Sequence, residues 1–274
     1  MQLIQTQQYT LAVPGLLCTE SLRLAFLSDL HNNIYPSLLQ QIKEAAPDAV
    51  LVGGDMVNRP TLFGTPPRFT RGYGCLRRLA ALGIPVFYAP GNHESRWKAN
   101  EKYEMAYGAY RAALQKKGVV FLENDSVLLH RGSVTIRLYG LEMDRMQYSH
   151  HPKKRRPPSV ADISERLGEA PKDGWTILMP HHPDYIREYA AWGADLVLAG
   201  HLHGGQARLP GIGGLIAPGF QFFPPYTKGL YETEKPGETG RKTRMIVSAG
   251  LGTHTIPFRL FNPRELLIID LVGK

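Results

Sequence analysis

Five short apolar runs, each closed by a polar cluster, constrain the fold of this 274-residue chain more than any other feature. Apolar runs of about four to eight residues that end in glycine or a polar residue are typical of buried strands. The runs cover residues 22–27, 49–52, 84–88, 175–179 and 196–199. Segments with helical patterning lie between them, at residues 37–46, 76–82, 103–117 and 185–192. Strands that alternate with helices predict an α/β fold with a largely parallel sheet covered on both faces.

Each apolar run is followed by residues whose side chains bind metal ions. In chain order the clusters are Asp29-Leu30-His31, Gly54-Asp55 with Asn58, Gly91-Asn92-His93-Glu94, His181-His182-Pro183-Asp184 and Gly200-His201-Leu202-His203-Gly204-Gly205-Gln206. In open α/β sheets, ligand sites gather at the carboxyl ends of the strands, which is where all five clusters fall. We therefore expect the clusters to converge in the folded protein.

The first two clusters contain carboxylates that suit a pair of ions. Asp29 and His31 are two residues apart, so both can reach one ion where the chain bends after a strand. Asp55 follows Gly53 and Gly54, and glycines let the backbone and an ion approach closely. Because a carboxylate can bridge two cations, Asp55 is well placed to be the bridge.

The remaining clusters add neutral ligands. Asn92 offers a carbonyl oxygen, and imidazoles come from His181, His201 and His203. This mixture suits Mn, Fe or Zn and argues against Ca or Mg alone. Two such ions can hold a bridging hydroxide and bind phosphate oxygens, and they lower the pKa of bound water to about 7. The pattern therefore predicts a two-metal site that can activate water and bind phosphate oxygens.

Several residues of the clusters are left over as candidates for other roles. We expect His93, beside Asn92, to face the substrate as an acid for the leaving group or as a contact to the phosphate. His182 is expected to be a neighbour of the ligand His181, because adjacent residues on an extended chain point to opposite sides. Glu94 and Asp184 are expected to orient ligands or to cap the next helix. Surface or loop positions are expected for the histidines His130, His150, His151 and His254.

Length and composition bound the organisation of the chain. With 43% apolar residues it fits one large domain or two small ones, and we favour a single domain over residues 1–274 because no obvious linker separates the clusters. Cys18 and Cys75 have no metal-binding spacing and predict two free thiols in a reducing compartment. We find no apolar run of about 18 residues and no signal-peptide pattern. These features predict a cytoplasmic protein without a transmembrane segment, and a peripheral membrane contact stays open.

The net charge of +8 favours anionic partners on average. The densest basic patch runs from Lys153 to Arg156 beside prolines, and such a patch is most often a solvated loop. It could also contact an anionic lipid surface, a nucleic acid or distal phosphates of a substrate. The sequence gives no firm indication of nucleic-acid binding, since it lacks the aromatic motif of an RNA-binding domain. Two loops rich in glycine and proline, residues 59–67 and 210–225, could form walls around a substrate.

The ordered set DLH, GDMVN, GNHE, HHPD and GHLHGGQ resembles the calcineurin-like metallophosphoesterase family, over roughly residues 22–251. The resemblance implies a sandwich of two sheets flanked by helices, with a dinuclear site at one edge. It implies that His93 contacts the scissile phosphate and protonates the leaving group. The family motif His-x-Pro selects His181 over His182. The implied ligands are Asp29, His31 and His203 for one ion, Asn92, His181 and His201 for the other, and Asp55 as the bridge.

Within the family, the chain resembles a bacterial phosphohydrolase branch. Some relatives there cleave phosphodiesters, and others cleave the pyrophosphate of a UDP-linked acylated glucosamine. We therefore expect a phosphodiesterase or pyrophosphatase that acts on a small or lipid-linked substrate. One alternative is a phosphomonoesterase or phosphoprotein phosphatase with the same ions. Another is a metal-binding scaffold without activity, although such members usually lack the GNHE histidine or a ligand, and here all are present.

Overall fold

The computed structural model describes residues 3–33, 35–61, 64–132, 134–149, 155–209, 211–217, 221–253 and 259–273 of the chain. The strands in this part are β1 Ile4–Ala12, β2 Ser21–Leu27, β3 Ala49–Val52, β4 Val86–Tyr88, β5 Val119–Phe121, β6 Asp125–Arg131, β7 Val134–Gly140, β8 Trp175–His181, β9 Leu196–Ala199, β10 Arg208–Leu209, β11 Gly213–Gly214, β12 Ile216–Ala217, β13 Gln221–Phe222, β14 Gly229–Glu234, β15 Lys242–Val247 and β16 Arg264–Val272. The α-helices are α1 Pro36–Ala45, α2 Arg71–Ala80, α3 Asn92–Lys98, α4 Glu101–Gln115, α5 Val160–Leu167 and α6 Ile186–Trp192, and short 3-10 helices cover Pro67–Phe69 and His203–Gly205.

The first sheet has six strands in the order β1, β16, β2, β3, β4, β5. Strands β2 to β5 are parallel, whereas β16 is antiparallel to β2. In this register Leu27 of β2 pairs with Val52 of β3, which pairs in turn with Tyr88 of β4. The carboxyl ends of the three strands are therefore level, and the segments that follow them leave the sheet at the same edge.

The second sheet also has six strands, in the order β14, β15, β9, β8, β7, β6. Its four central strands are parallel, and the outer strands β14 and β6 are antiparallel to their neighbours. The ladder between β8 and β9 is irregular between Leu178 and His181, so that His181 pairs with Ala199. Such irregularities bend a strand and redirect its side chains. At this point the redirected residue is a predicted ligand.

Apolar side chains fill the space between the two sheets. Phe26 and Leu51 from the first sheet and Ile177 and Leu198 from the second belong to one buried cluster. Burying a side chain of this size contributes about 1.5–3 kcal/mol. Helices α1, α2 and α4 cover the outer face of the first sheet, and α5 and α6 cover that of the second. The layers therefore run helix, sheet, sheet, helix, which confirms the two-sheet sandwich flanked by helices.

The expectation of a largely parallel sheet covered on both faces was wrong in one respect. All five apolar runs form strands, but those before residue 100 lie in the first sheet, and those after residue 170 lie in the second. Each sheet is mixed, and it carries helices on one face and the other sheet on its second face. An apolar run indicates that a strand is buried on both faces. Either a layer of helices or a second sheet can provide this burial.

Other sequence-based expectations can be placed on the fold. Cys18 and Cys75 are free, as expected. His130 is exposed on β6, whereas His150, His151, Lys153, Lys154 and His254 lie outside the described residues. Arg155 and Arg156 lie in an irregular segment, where Arg156 is exposed and the half-buried guanidinium of Arg155 pairs with the carboxylate of Asp184 at 2.6 Å. None of the helices in the described ranges combines the length and the apolar character that crossing a membrane requires.

Candidate metal centre

The seven predicted ligands meet at the carboxyl ends of the central strands. The loops after β2 and β3 and the first turn of α3 bring residues from the first sheet, and the ends of β8 and β9 bring residues from the second. All seven are buried, with at most 6% of any residue exposed. They are Asp29, His31, Asp55, Asn92, His181, His201 and His203. The convergence expected from the strand ends is therefore present, but it joins the edges of two sheets.

One group of potential metal ligands consists of Asp29, His31 and His203, with one ligand atom of each within 4.8 Å of the others. The Nε2 atoms of His31 and His203 are 3.1 Å apart. Oδ1 of Asp29 lies 3.6 Å from Nε2 of His203 and 3.9 Å from Nε2 of His31. Two imidazoles and a carboxylate that converge in a buried space are a donor set that suits a transition-metal ion.

A second group consists of Asp55, His181 and His201. Oδ2 of Asp55 lies 3.3 Å from Nε2 of His181 and 3.8 Å from Nε2 of His31, so this carboxylate stands between the two groups. The side-chain oxygen of Asn92 is buried and accepts no hydrogen bond from the described residues. A buried acceptor of this kind is costly unless something binds it, and a cation would do so. The arrangement fits a pair of ions with a shared carboxylate.

The backbone of the site is strained at nearly every predicted ligand. Six of the seven have φ between 48° and 68°, in the left-handed region, and these are Asp29, His31, Asp55, His181, His201 and His203. Such a residue costs about 1–3 kcal/mol and is kept only where the surroundings impose it. Here the loops hold one another, since the Asp29 N–H donates to the Gly54 carbonyl and the His31 N–H to the Asp55 carbonyl.

Burial and close contact shift the pKa values of the charged groups in opposite directions. Burial raises the pKa of Asp29 to about 6. Burial alone would also raise the pKa of Asp55, but the imidazoles of His93, His181 and His31 outweigh it and hold that pKa well below its usual range. Burial acts to lower the pKa of His181, but Asp55 and Asp29 raise it to about 10. The carboxylates thus favour positive charge at His181, whereas burial and the neighbouring histidines hold the pKa of His201 well below its usual range.

Hydrogen bonds to the imidazoles distinguish the predicted ligands His181 and His203 from His93. Nδ1 of His181 donates to the Gly53 carbonyl at 2.5 Å, and Nδ1 of His203 donates to the Gly252 carbonyl at 3.3 Å. A carbonyl only accepts, so each Nε2 keeps a lone pair for an ion when the ring is neutral.

His93 has the opposite arrangement. Its Nδ1 accepts from the backbone N–H of Arg59 at 2.7 Å, so the proton is on Nε2. That Nε2–H lies 3.8 Å from Oδ2 of Asp55 and within reach of the space between the groups. His93 also belongs to a cluster with His31 and Asp55 that could hold an ion, but a protonated Nε2 cannot be a ligand. The geometry supports the role of proton donor.

Glu94 links the second and third clusters. Its carboxylate accepts hydrogen bonds from the backbone N–H groups of Asp55, Met56 and Gly91 and from the hydroxyl of Tyr88. The bond to Gly91 is part of a capping box at the start of α3. The expectation that Glu94 caps the next helix is therefore confirmed, and the same side chain also holds the loop of Asp55.

Sequence reasoning missed three supports of the site. Ser28 donates to Oδ2 of Asp29 at 2.6 Å. The Gly252 carbonyl accepts from both His203 and the partly buried guanidinium of Arg259. A signal for Gly252 was present, because a glycine-rich segment follows β15 just as polar clusters follow the other central strands. Because this segment contains no predicted ligand, the sequence pattern did not assign it to the site. Asn58, in contrast, is exposed, and its carbonyl accepts from Trp97.

Comparison with known proteins places this arrangement in a family. The model for calcineurin-like phosphoesterases matches residues 22–205. The chain is 27% identical to the uncharacterised protein YpbG of Bacillus subtilis (strain 168) over 256 residues, which cover 92% of this chain and 82% of that protein. It is 28% identical to the uncharacterised metallophosphoesterase Cj0846 of Campylobacter jejuni over 268 residues, 93% of this chain and 60% of that protein.

A third relative has a more specific name. The chain is 28% identical to phosphodiesterase YaeI of Escherichia coli (strain K12) over 204 residues, 72% of this chain and 66% of that protein. The chain therefore spans less than two thirds of the length of two of these relatives. The family match, in contrast, reaches from the first apolar run to the last histidine cluster, which is more than half of the chain. On that match the chain belongs to the calcineurin-like phosphoesterases, a family of phosphate-ester hydrolases.

Proposed function

We propose that this phosphoesterase depends on two divalent ions and cleaves a phosphodiester or pyrophosphate bond. The observation that carries the proposal is the position of Asp55, whose Oδ2 lies between the two groups of potential ligands. The name of the relative YaeI, a phosphodiesterase, favours a diester over a monoester. In this proposal residues 1–274 form one domain, which the core shared by both sheets supports.

The residues present fit the proposed ions. Asp29, His31 and His203 would hold one ion, and Asn92, His181 and His201 would hold the other, with Asp55 shared between them. When bound, a pair of divalent ions supplies a nucleophile from water at neutral pH and draws charge from the phosphoryl oxygens. The donor set of imidazole and oxygen suits Mn, Fe or Zn.

The chain's own residues provide orientation and a proton. Because Arg59 N–H holds Nδ1 of His93, the Nε2–H of this ring is directed into the site, where it can donate to the departing oxygen. The backbone N–H of His93 donates to Oδ1 of Asp55 at 2.8 Å, which fixes the carboxylate that both groups share. These contacts hold the imidazole of His93 and the carboxylate of Asp55 in fixed positions relative to each other.

The first expected result is about two metal ions per chain, because seven buried ligands form two groups around one carboxylate. Elemental analysis of protein purified without chelators, before and after reconstitution with Mn, measures the ratio. A ratio at or below one after reconstitution would count against a pair of ions. The same reconstituted protein should be assayed on a phosphomonoester, a phosphodiester and a pyrophosphate. Preference for the monoester would favour the alternative of a phosphomonoesterase or phosphoprotein phosphatase.

A second expected result concerns Gly200, which precedes the ligand His201. A Cβ at this position would lie 2.2 Å from Oδ2 of Asp29. Gly200→Ala must therefore displace Asp29, and we expect the metal content to fall from about two to about one per chain. A matched control is Gly108→Ala in the exposed middle of α4, where a Cβ has no heavy atom within 4 Å. This change should keep both ions and add about 0.5–1 kcal/mol of stability. Equal metal contents in the two variants would contradict the placement of Asp29.

The remaining alternative is a scaffold that binds metal ions but has no catalytic activity. A scaffold that only binds metal would show the expected metal content but no turnover of any of the three substrate classes. The proton position on His93 argues against it, because a scaffold has no need to direct an N–H into the site. A lipid-linked substrate and a peripheral membrane contact stay part of the proposal, and vesicle-bound phosphodiesters are the probe for them.

A further inference from the structure

A cavity of about 590 Å³ adjoins the metal centre and has no part in the function proposed so far. Asn92 and Tyr148 belong to its wall. The ring of Tyr148 also lies 5.1 Å from that of His201, centroid to centroid, so the wall continues into the metal centre. A volume of this size is ordinary for a small-molecule site. We infer that this cavity binds the leaving portion of the substrate and that its arginines recognise a second phosphate group carried by that portion.

The cavity adjoins residues that contact or flank His93. Arg59, whose backbone N–H fixes the His93 ring, lines the cavity, as does Asn92, the neighbour of His93 in the chain. A leaving group that takes the proton from His93 must be next to this ring when its bond breaks. The inference rests on the proposed function at this step, because it is the acid role of His93 that makes this the leaving-group side.

Three arginines give the cavity its charge. Arg59, Arg96 and Arg145 all line it. Burial and the positive charges of Arg59 and Arg145 lower the pKa of Arg96, whereas the carboxylate of Asp55 acts to raise it. Asp144 also lines the cavity, but its carboxylate is paired with Arg166 at 2.8 Å. The three arginines thus share one cavity, in which Arg96 is half-buried and Arg59 and Arg145 are exposed.

A phosphate dianion matches this arrangement better than a single negative charge. A guanidinium binds phosphate oxygens through two parallel N–H donors, and three of them in one cavity compensate a dianion. Pro60, Tyr103 and Met143 provide an apolar part of the same wall. The leaving portion that fits is therefore a phosphorylated group with an apolar or planar body, attached to the scissile phosphate.

Binding of a leaving-group analogue tests the inference without turnover. The probe is 4-hydroxyphenylphosphonate, titrated calorimetrically into metal-loaded protein, and the variants are Arg96→Gln and Arg145→Gln. Each variant should bind the probe about 10- to 100-fold more weakly, as expected for the loss of a charge-assisted hydrogen bond. Arg187→Gln, which removes an exposed arginine on α6, is the matched control and should bind like the wild type. Unchanged affinity in both cavity variants, with metal content and melting temperature retained, would overturn the inference.

Turnover provides a second readout. The substrates are methyl 4-nitrophenyl phosphate and methyl 4-phosphonophenyl phosphate, which differ in the charge of the leaving portion. The ratio of kcat/KM for the charged over the neutral substrate should fall about 10- to 100-fold in Arg96→Gln and Arg145→Gln, and it should not change in Arg187→Gln. An unchanged ratio would overturn the inference. If the wild type cleaves neither these diesters nor a pyrophosphate, the proposed function fails, whereas the binding experiment still decides on the cavity.

Discussion

Asp55→Ala is expected to empty both metal positions and to reduce phosphodiester hydrolysis by about 10³-fold or more. Oδ2 of Asp55 lies close to histidines of both groups, so its loss removes a ligand from each proposed ion. Ions at such a site contribute several kcal/mol of transition-state stabilisation, and each 1.36 kcal/mol corresponds to a factor of about ten in rate. Elemental analysis and kcat on a chromogenic diester are the measurements.

A carboxylate outside the site provides the control for this variant. Asp270 pairs with Arg23 at 2.6 Å, and Arg23 lies near the start of β2, at the opposite end of the strand from Asp29. The carboxylate of Asp270 is buried and also accepts a hydrogen bond from Gln8. Asp270→Ala should therefore cost about 1–3 kcal/mol of stability, but it should leave metal content and kcat unchanged. Retention of about two ions by Asp55→Ala would show that this carboxylate is not shared between them.

His93→Ala is expected to keep both ions and to lose roughly 10²–10⁴-fold in kcat on a substrate with a poor leaving group. The reason is the proton position, because the Arg59 N–H occupies Nδ1 and leaves Nε2–H for the leaving oxygen. The neighbouring variant Asn92→Ala should behave differently. The buried oxygen of Asn92 is assigned to an ion, so this variant should lower metal occupancy. Metal analysis and kcat on the same substrate separate the two roles.

How the loss of kcat in His93→Ala depends on the leaving group distinguishes the two possible roles of His93. Nitrophenolate needs little help from an acid, so the defect of His93→Ala should shrink for nitrophenyl esters. A defect of the same size for every leaving group would make His93 a contact to the phosphoryl oxygens that stabilises charge. Full activity of the variant on a poor leaving group, with both ions bound, would refute both roles.

The sequence was most informative where a short apolar run ends. Asp29, Asp55 and Asn92 follow strands whose register is level, and their meeting could be predicted because parallel strands place their carboxyl ends at one edge. The same reasoning also placed His181 and His201 in the site. It assumed a single sheet, however, and these two residues belong to a second sheet. The assignment of these residues to particular ions stays a prediction that the metal analyses above address.

The charge of the cavity and the hydrogen-bond partners of the supporting residues were beyond the reach of sequence reasoning. Arg96 and Arg145 stand in segments of unremarkable composition, and only folding brings them to one wall with Arg59. Likewise, no spacing indicates that Gly252 accepts from His203, because 49 residues separate them. Contacts of this kind depend on how elements pack, and hydrophobic periodicity carries no information about which remote element is the neighbour.

The sequence by itself determined the local elements and the chemistry available at their ends, since apolar runs and ligand-type side chains are properties of neighbouring residues. It therefore indicated buried strands, a metal-binding set that contains Asp29 and Asp55, and a spare histidine, His93. Only the tertiary structure decided that two sheets share the site, that the Arg59 N–H sets the proton of His93, and that arginines gather in the adjoining cavity. The physical reason is that sheet membership, tautomer and cavity charge arise from contacts between residues far apart in the chain.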